Sequence, residues 1–338
     1  MTAKRSTRCV GPLLDGLVVA AYGKHWLVEA SGGSRRLCHA RGRRQEAVVG
    51  DHVRWAASQD EGVIESVQPR RNLMMRQDAQ RSKCFAANID QVLILLAAEP
   101  EFSHRLLTRA LIATAAAGVD TLLVLNKADL RTAFALAWER LADVRRLVPD
   151  VLPLSLKHGT DEDRLALLDR LEGKATLVLG PSGAGKSTLI NALIPGAQAQ
   201  TGALSEALQS GRHTTTRTTW YWLDREQRTA LIDSPGFQEF GLHHLVPEEL
   251  APLMPDLRAH LGGCRFANCS HLHEPGCAVR AALCPSPEKS AESGPKADCI
   301  SAERYEIYSD LWLELDQARR AVPGSRPVNP SGGQTSAA

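Results

Sequence analysis

Residues 180–188 read GPSGAGKST, which sets Gly180, Gly185, Lys186 and Ser187 in the spacing G-x4-G-K-[ST]. Glycines let backbone N–H groups curl around phosphate oxygens, and a helix starting there adds the partial positive charge of its N-terminus. Pro181, Ser182, Gly183 and Ala184 complete the loop, and Thr188 continues the helix start. Lys186 is placed to reach the β- and γ-phosphates and Ser187 to ligate Mg2+. Forty-seven residues after Lys186 comes DSPG, where Asp233 can hold Mg2+ through water and the Gly236 N–H can meet a γ-phosphate. Between the two lies SGRHTTTRTTW. A threonine hydroxyl that joins the Mg2+ shell only while γ-phosphate is present acts as a switch; Thr215 is favoured, with Thr214 and Thr216 as alternatives.

A further short motif, NKAD, lies ahead of these at 126–129. An Asp129 carboxylate can accept from guanine N1–H and from the 2-amino group. Adenine offers neither donor there, and a buried carboxylate left unpaired by ATP discriminates strongly. Asn126, Lys127 and Ala128 form the rest of this base loop, and LPLSLKHGT supplies Ser155 and Lys157 as its support from behind. The linear order is therefore base loop, base support, phosphate loop, switch I, switch II. A domain whose termini lie close together tolerates being cut and rejoined elsewhere.

The elements that must position these residues fall into three parts. From 11 to 75, LLDGLVVAAYG, HWLVEA, RRLCHAR, GDHVRWAA and GVIESVQP read as five short strands of a small barrel of the OB type, a fold that binds oligonucleotides. Tyr22, Trp26, Trp55 and Phe85 are the aromatics that could stack bases, and each reads more readily as core. RRNLMMRQDAQRSK follows as a hinge. From 85 to 245, the apolar runs IDQVLILLAA, VDTLLVLN, ATLVLG and RTALIDS alternate with helical stretches, as in a parallel sheet buried on both faces. All three nucleotide motifs then fall at the carboxyl ends of strands. From 246 to 322 the chain is expected to be a helical metal-binding part, ending in a helix over 301–320 with Tyr305, Tyr308, Leu311, Trp312 and Leu315 at helical spacing. Residues 1–10 and 323–338 read as flexible ends.

In the third part CRFANCSHLHEPGC gives C-x4-C-x-H-x5-C through Cys264, Cys269, His271 and Cys277. Three thiolates and an imidazole make a closed tetrahedral site suited to structural zinc. His273 and Cys284 are spare candidates. Cys284 and Cys299 flank an insert that reads as an exposed loop, with a second metal or a disulfide as the other readings.

With 43% apolar and 23% charged residues over 338 positions, the chain has a globular composition and room for two or three domains. Residues 1–90 carry 15 Lys and Arg against 9 Asp and Glu, which favours a polyanionic partner such as RNA. No stretch approaches the roughly 18–20 apolar residues that span a bilayer, and no signal-peptide core forms, so a cytoplasmic protein is expected, without a membrane partner.

On NKAD, GPSGAGKST, GRHTTT, DSPGFQEFGL and the cysteine cluster, in that order over roughly residues 10–320, the chain resembles the ribosome small-subunit-dependent GTPase A family of circularly permuted GTPases. The resemblance implies a multidomain α+β and α/β protein. It would have an N-terminal OB barrel, a central permuted P-loop GTPase and a C-terminal helical zinc domain. It implies hydrolysis of GTP to GDP with Mg2+, stimulated by the small (30S) ribosomal subunit late in its maturation, with 16S rRNA bound. A monomer is expected. Ras-type enzymes place a water-orienting Gln directly after the D-x-x-G glycine; here Phe237 stands there and Gln238 comes one residue late. Intrinsic hydrolysis should be slow, and help in trans can be worth roughly 10³–10⁵ in rate, or about 4–7 kcal/mol. The resemblance points to His213 as the residue that positions water. If the base loop reads guanine, Asp129→Asn is expected to lower the preference for GTP over ATP by on the order of a hundredfold in competitive nucleotide binding.

Overall fold

The computed structural model describes residues 12–41, 47–58, 61–77, 82–195, 218–235, 240–284 and 299–321. Five strands, β1 (Leu13–Tyr22), β2 (His25–Ala30), β3 (Arg35–Ala40), β4 (His52–Ala57) and β5 (Gly62–Val67), close in the order β1-β2-β3-β5-β4-β1. Only β3 and β5 run parallel. This is the expected OB barrel. Its interior holds Val18, Trp26, Val28, Cys38, Val53, Trp55 and Ile64. β1 has to pair with both β2 and β4, and Gly16 sits where both pairings meet. A Cβ there would lie 2.5 Å from Val28 Cγ1, so only glycine allows the closure. Trp26, Trp55 and Phe85 are buried, as core residues rather than stacking platforms.

The stretch read as a hinge is instead a hairpin, β6 (Leu73–Gln77) with β7 (Ser82–Ala87). Met74 and Phe85 are buried, and Phe85 stacks on Phe240 with ring centroids 5.7 Å apart. The hairpin is ordered by residues far along the chain, which local polarity concealed. Its end is gripped too. Gln77 donates its N–H to Gly241 O at 3.0 Å and accepts from His243 N at 2.9 Å.

Next come β8 (Gln91–Ala97), β9 (Asp120–Asn126), β10 (Asp150–Pro153), β11 (Ala175–Leu179), β12 (Thr219–Trp222) and β13 (Ala230–Asp233). They lie in the order β10-β9-β8-β11-β13-β12, all parallel except β12. Side chains alternate between faces. Ile94 and Leu96 pack with α1 (His104–Ala116) on one side; α2 (Arg131–Arg140) and α3 (Ala142–Leu147) join β9 to β10; Leu93 and Leu95 pack with α4 (Asp161–Leu171) and α5 (Lys186–Leu193) on the other side. Ser103 caps α1, its hydroxyl accepting from Leu106 N, and Thr160 with Asp163 forms a capping box on α4. Helix α4 carries the chain from edge strand β10 back to the central strand β11. That connection puts the base loop ahead of the phosphate loop, which is the permutation expected.

The C-terminal part is led by short helical turns and closed by the helix Ala302–Ala321. Tyr308, Leu311 and Leu315 are buried, in the predicted spacing, within the core that α1 also joins. Cys284 and Cys299 form a disulfide, one of the readings that the sequence left open for these two residues. The physical reason is local pairing: Cys284 N donates to Ile300 O at 2.9 Å and Ile300 N to Ala282 O at 2.9 Å, which brings the flanks together. The insert 285–298 lies outside the described residues. No helix among the described residues is long and apolar enough to cross a membrane.

Arg304, 4% exposed, ties this helix to the rest. It bonds both oxygens of Asp256, at 2.8 and 2.9 Å, and Thr108 Oγ1 on α1 at 2.9 Å. Removing one partner of a buried pair leaves the other charge uncompensated. Arg304→Ala is therefore expected to cost about 3–5 kcal/mol, seen as a lowered thermal midpoint, whereas replacement of the exposed Arg320 should leave the midpoint nearly unchanged.

Candidate nucleotide site and metal centre

Because β9, β10, β11 and β13 are parallel, the loops after them share one edge of the sheet. Gly180 to Gly185 follow β11, and Lys186, Ser187 and Thr188 open α5. Gly185 has φ 106° and Gly183 φ 81°, so the loop needs glycine at both turns. A Cβ on Gly180 would lie 2.5 Å from Leu95 O, so the third glycine is set by close approach of β8. Lys186 Nζ donates to Ser234 O at 3.1 Å, directly after β13. Ser234 in turn donates its hydroxyl to Val178 O at 2.7 Å, which pins the start of DSPG against the phosphate-loop strand.

Lys186 and Asp233 face one another electrostatically. Burial lowers the Lys186 pKa and Asp233 partly opposes it; burial raises the Asp233 pKa and Lys186 partly opposes that. A half-buried cation beside a half-buried carboxylate at the end of a strand is suited to a phosphate and its metal ion. Ser187 and Thr188 are exposed at the same edge.

The base loop is joined to the phosphate loop by one side chain. Asn126 Nδ2 donates to Ala184 O at 2.9 Å, while its Oδ1 accepts from Lys127 N at 2.7 Å and Leu156 N at 3.0 Å. Ala128 N donates to Leu154 O at 3.1 Å, so the base loop lies along the base support. Ser155 donates its hydroxyl to Asp129 Oδ1 at 2.5 Å and accepts from His158 N at 3.1 Å. The Ser155 hydrogen bond holds the Asp129 carboxyl below the usual carboxylate range, which favours the ionised acceptor that guanine needs. Asp129 is exposed at the rim of the loop rather than buried, as is Lys157. His213, Thr214, Thr215, Thr216, Gly236, Phe237 and Gln238 lie outside the described residues.

Glu99 and Pro100 escaped the sequence reading. Lys127, at φ 68°, turns its ammonium onto the carbonyl of Glu99. Pro100 then lies 3.0 Å from the Cβ position of Gly183. The β8–α1 connection is thus a wall between base and phosphate loops, and no motif marks it in the sequence.

The predicted metal ligands also come together. One ligand atom each from Cys264, Cys269, His271 and Cys277 lie within 4.8 Å of one another. His271 Nδ1 is 3.5 Å from both Cys264 Sγ and Cys277 Sγ. Zn–S bonds of about 2.3 Å and Zn–N bonds of about 2.0–2.1 Å give a tetrahedral S···N edge of about 3.5 Å, so the donor set and its spacing fit such an ion. Arg280 N donates to Cys277 Sγ at 3.4 Å, a bond that suits a thiolate. His273 is exposed and apart from the four, and Cys284 is spent in the disulfide.

Two tyrosines of the C-terminal helix hold this knuckle. Tyr305 donates its hydroxyl to His271 O at 2.7 Å and Tyr308 to Ser270 O at 2.8 Å. Their helical spacing was legible, but their hydrogen-bonding role was not. Elemental analysis is expected to find one tightly bound metal ion per chain, and Cys269→Ser should release it and loosen the C-terminal helix.

The sequence profile of the RsgA GTPase family matches residues 67–243. A relative from Variovorax paradoxus (strain S110), named small ribosomal subunit biogenesis GTPase RsgA, is 58% identical over 91% of this chain and 94% of its own length. A relative of the same name from Burkholderia pseudomallei (strain K96243) is 48% identical over 92% and 95%. Among solved structures, YjeQ from Thermotoga maritima superposes with a TM-score of 0.66 at 28% identity, covering 93% of this chain and 100% of that one. YloQ, described as a circularly permuted GTPase, gives 0.61 at 23% identity over 93% and 98%, a likeness of fold. A guanine-type base loop, a phosphate loop and Asp233 converge on one sheet edge in permuted order, and the chain belongs to the RsgA GTPase family of GTP hydrolases.

Proposed function

We propose that this protein hydrolyses GTP to GDP and phosphate as a step in maturation of the small ribosomal subunit, and that the subunit stimulates the reaction. The observation that carries the reading is the Asn126 carboxamide, which fixes a base loop and a phosphate loop in one site. The relatives' names supply the biological setting.

In this reading Asp129, with Ser155 and Lys157 behind it, reads guanine, and the loop from Gly180 to Thr188 holds the phosphates. Mg2+ is held by Ser187, Asp233 and Thr215. Lys186 neutralises charge that develops on the β- and γ-phosphate oxygens. His213 orients the attacking water, in place of the glutamine missing after Gly236, and Gly236 N–H meets the γ-phosphate. The ion of the cysteine cluster is zinc, and its role is structural because four protein ligands leave no open position. The barrel (11–75) and the zinc part (246–322) contact 16S rRNA on either side of the GTPase part (85–245), in a cytoplasmic monomer.

The route from the site to the zinc part is short. Phe240, at the exit of switch II, accepts from Arg109 Nη1 at 3.2 Å, and Arg109 is ion-paired to Glu314 of the C-terminal helix. Nucleotide state can bias that helix through this junction.

The test is phosphate release from GTP and from ATP, with and without purified small subunits. Multiple turnover with GTP, raised by the subunit, is expected. A single turnover unaffected by subunits would mean an RNA-binding module that keeps GTP as a structural ligand, and equal rates with ATP would sink the guanine reading. His213→Ala should lower the stimulated rate by about a hundredfold with GTP affinity nearly intact.

A further inference from the structure

The barrel meets the nucleotide-binding sheet through a buried carboxylate that the reaction does not use. Glu29, on β2, is 5% exposed. Its Oε1 accepts from Trp222 Nε1 at 2.7 Å and from Gln227 Nε2 at 3.1 Å, and its Oε2 accepts from Arg35 Nε at 2.6 Å. Arg35 belongs to the barrel; Trp222 and Gln227 do not. Trp222 ends β12, and Gln227, at φ 56°, sits in the turn that leads to β13. At the other end of β12, Thr219 pairs with Ala20 of β1. The barrel therefore grips this four-residue strand at both ends.

What β12 does for the site follows from register. Ala20, Thr219, Asp233 and Val178 are successive partners across β1, β12, β13 and β11. The row begins on a barrel strand and ends two residues before Gly180. Asp233, the carboxylate assigned to the metal ion, is thus directly opposite a residue held by the barrel. Burying a carboxylate at a junction is costly unless every oxygen is bonded, and an apolar contact would have packed the same surface without that cost. A charged, directional clamp fixes distance and angle where an apolar contact would let the two parts slide.

We propose that Glu29 is a positioning residue for GTP hydrolysis: it locks β12 to the barrel and so makes the placement of Asp233 depend on how the barrel sits. The subunit-dependent part of this proposal rests on the function proposed above. Coupling between two sites is reciprocal, so if the barrel biases the nucleotide site, the nucleotide must bias the barrel.

Hydrogen exchange on the full-length chain reads this without any ribosomal subunit. Protection of residues 13–30 is compared with GDP and with a non-hydrolysable GTP analogue bound. The wild type is expected to differ by about fivefold between the two, the lower end of ordinary coupling. Trp222→Phe, which keeps an aromatic ring and removes the donor, should abolish the difference, as should Glu29→Ala. Glu29→Gln, whose amide oxygen still accepts from Trp222, should keep it. With subunits present, Trp222→Phe should lower stimulated kcat by a similar factor, leaving intrinsic turnover and the KM for GTP unchanged. Equal exchange in both nucleotide states of the wild type, or a difference that survives in folded Trp222→Phe, overturns the clamp. Failure of the subunit to stimulate the wild type would instead overturn the proposed function and leave the exchange result standing.

Discussion

The site depends on one carboxamide. Asn126 is 4% exposed, and its donors and acceptor reach the phosphate loop, its own loop and the base support. The phosphate-loop and base-support partners, Ala184 and Leu156, are 58 and 30 residues from Asn126 along the chain, so no local turn preference can align them. A side chain with both a donor and an acceptor on one rigid plane can do so, and a carboxylate, which lacks the donor, cannot. Gly185 has no Cβ for a related reason: one would lie 2.4 Å from Asn126 Nδ2. The φ that glycine permits and the space that it leaves serve the same contact.

Around that centre, the outlying parts attach where the chain leaves the nucleotide motifs. β12, which follows the threonine-rich segment, docks on the barrel through Ala20 and Glu29. The segment after DSPG docks on the β6–β7 hairpin through Gln77, and on the C-terminal helix through Arg109 and Glu314. In an unpermuted chain the strand after DSPG would follow directly in sequence. Here the cut falls at that point, so the segment is free to run into another part of the molecule. His243 adds a second contact to Glu314 at 3.3 Å, and these bonds hold the Glu314 carboxyl below its usual range.

Chemistry that depends on local spacing was legible in the sequence. GPSGAGKST, NKAD and the C-x4-C-x-H-x5-C run each fold as a single turn or knuckle, so their letters carry their geometry. The barrel strands and the strands β8, β9, β11 and β13 were legible as apolar runs. What failed was non-local. β10 (DVLP) is bounded by Asp150 and Pro153, and β12 (TWYW) runs straight on from the threonine-rich segment, so neither stands out as an apolar run. The β6–β7 hairpin carries Arg76, Gln77 and Lys83 and is ordered by Phe240 from the far side of the sheet. Glu29 looks like an ordinary polar position of a barrel strand, because its partners Trp222 and Gln227 lie 193 and 198 residues away. The choice of a disulfide between the flanks of the late insert was not legible, because pairing of Leu283 with Ile300 leaves no composition signal.

The crossover through α4 also sets the order in which a growing chain can build the sheet. β8, β9 and β10 emerge together and can pair, but the strand that must lie against the other side of β8 is still unmade. β8 is buried along its whole length in the finished protein, so the nascent half-sheet presents an apolar strand edge to solvent until β11 arrives. The half that carries NKAD is thus synthesised as an incomplete, adhesive template, and it is completed only when residues 175–188, with the phosphate-loop sequence, close it. The permutation makes the nucleotide-binding step of this protein late in its own biogenesis, and it places the period of greatest aggregation risk before any ligand can stabilise the fold.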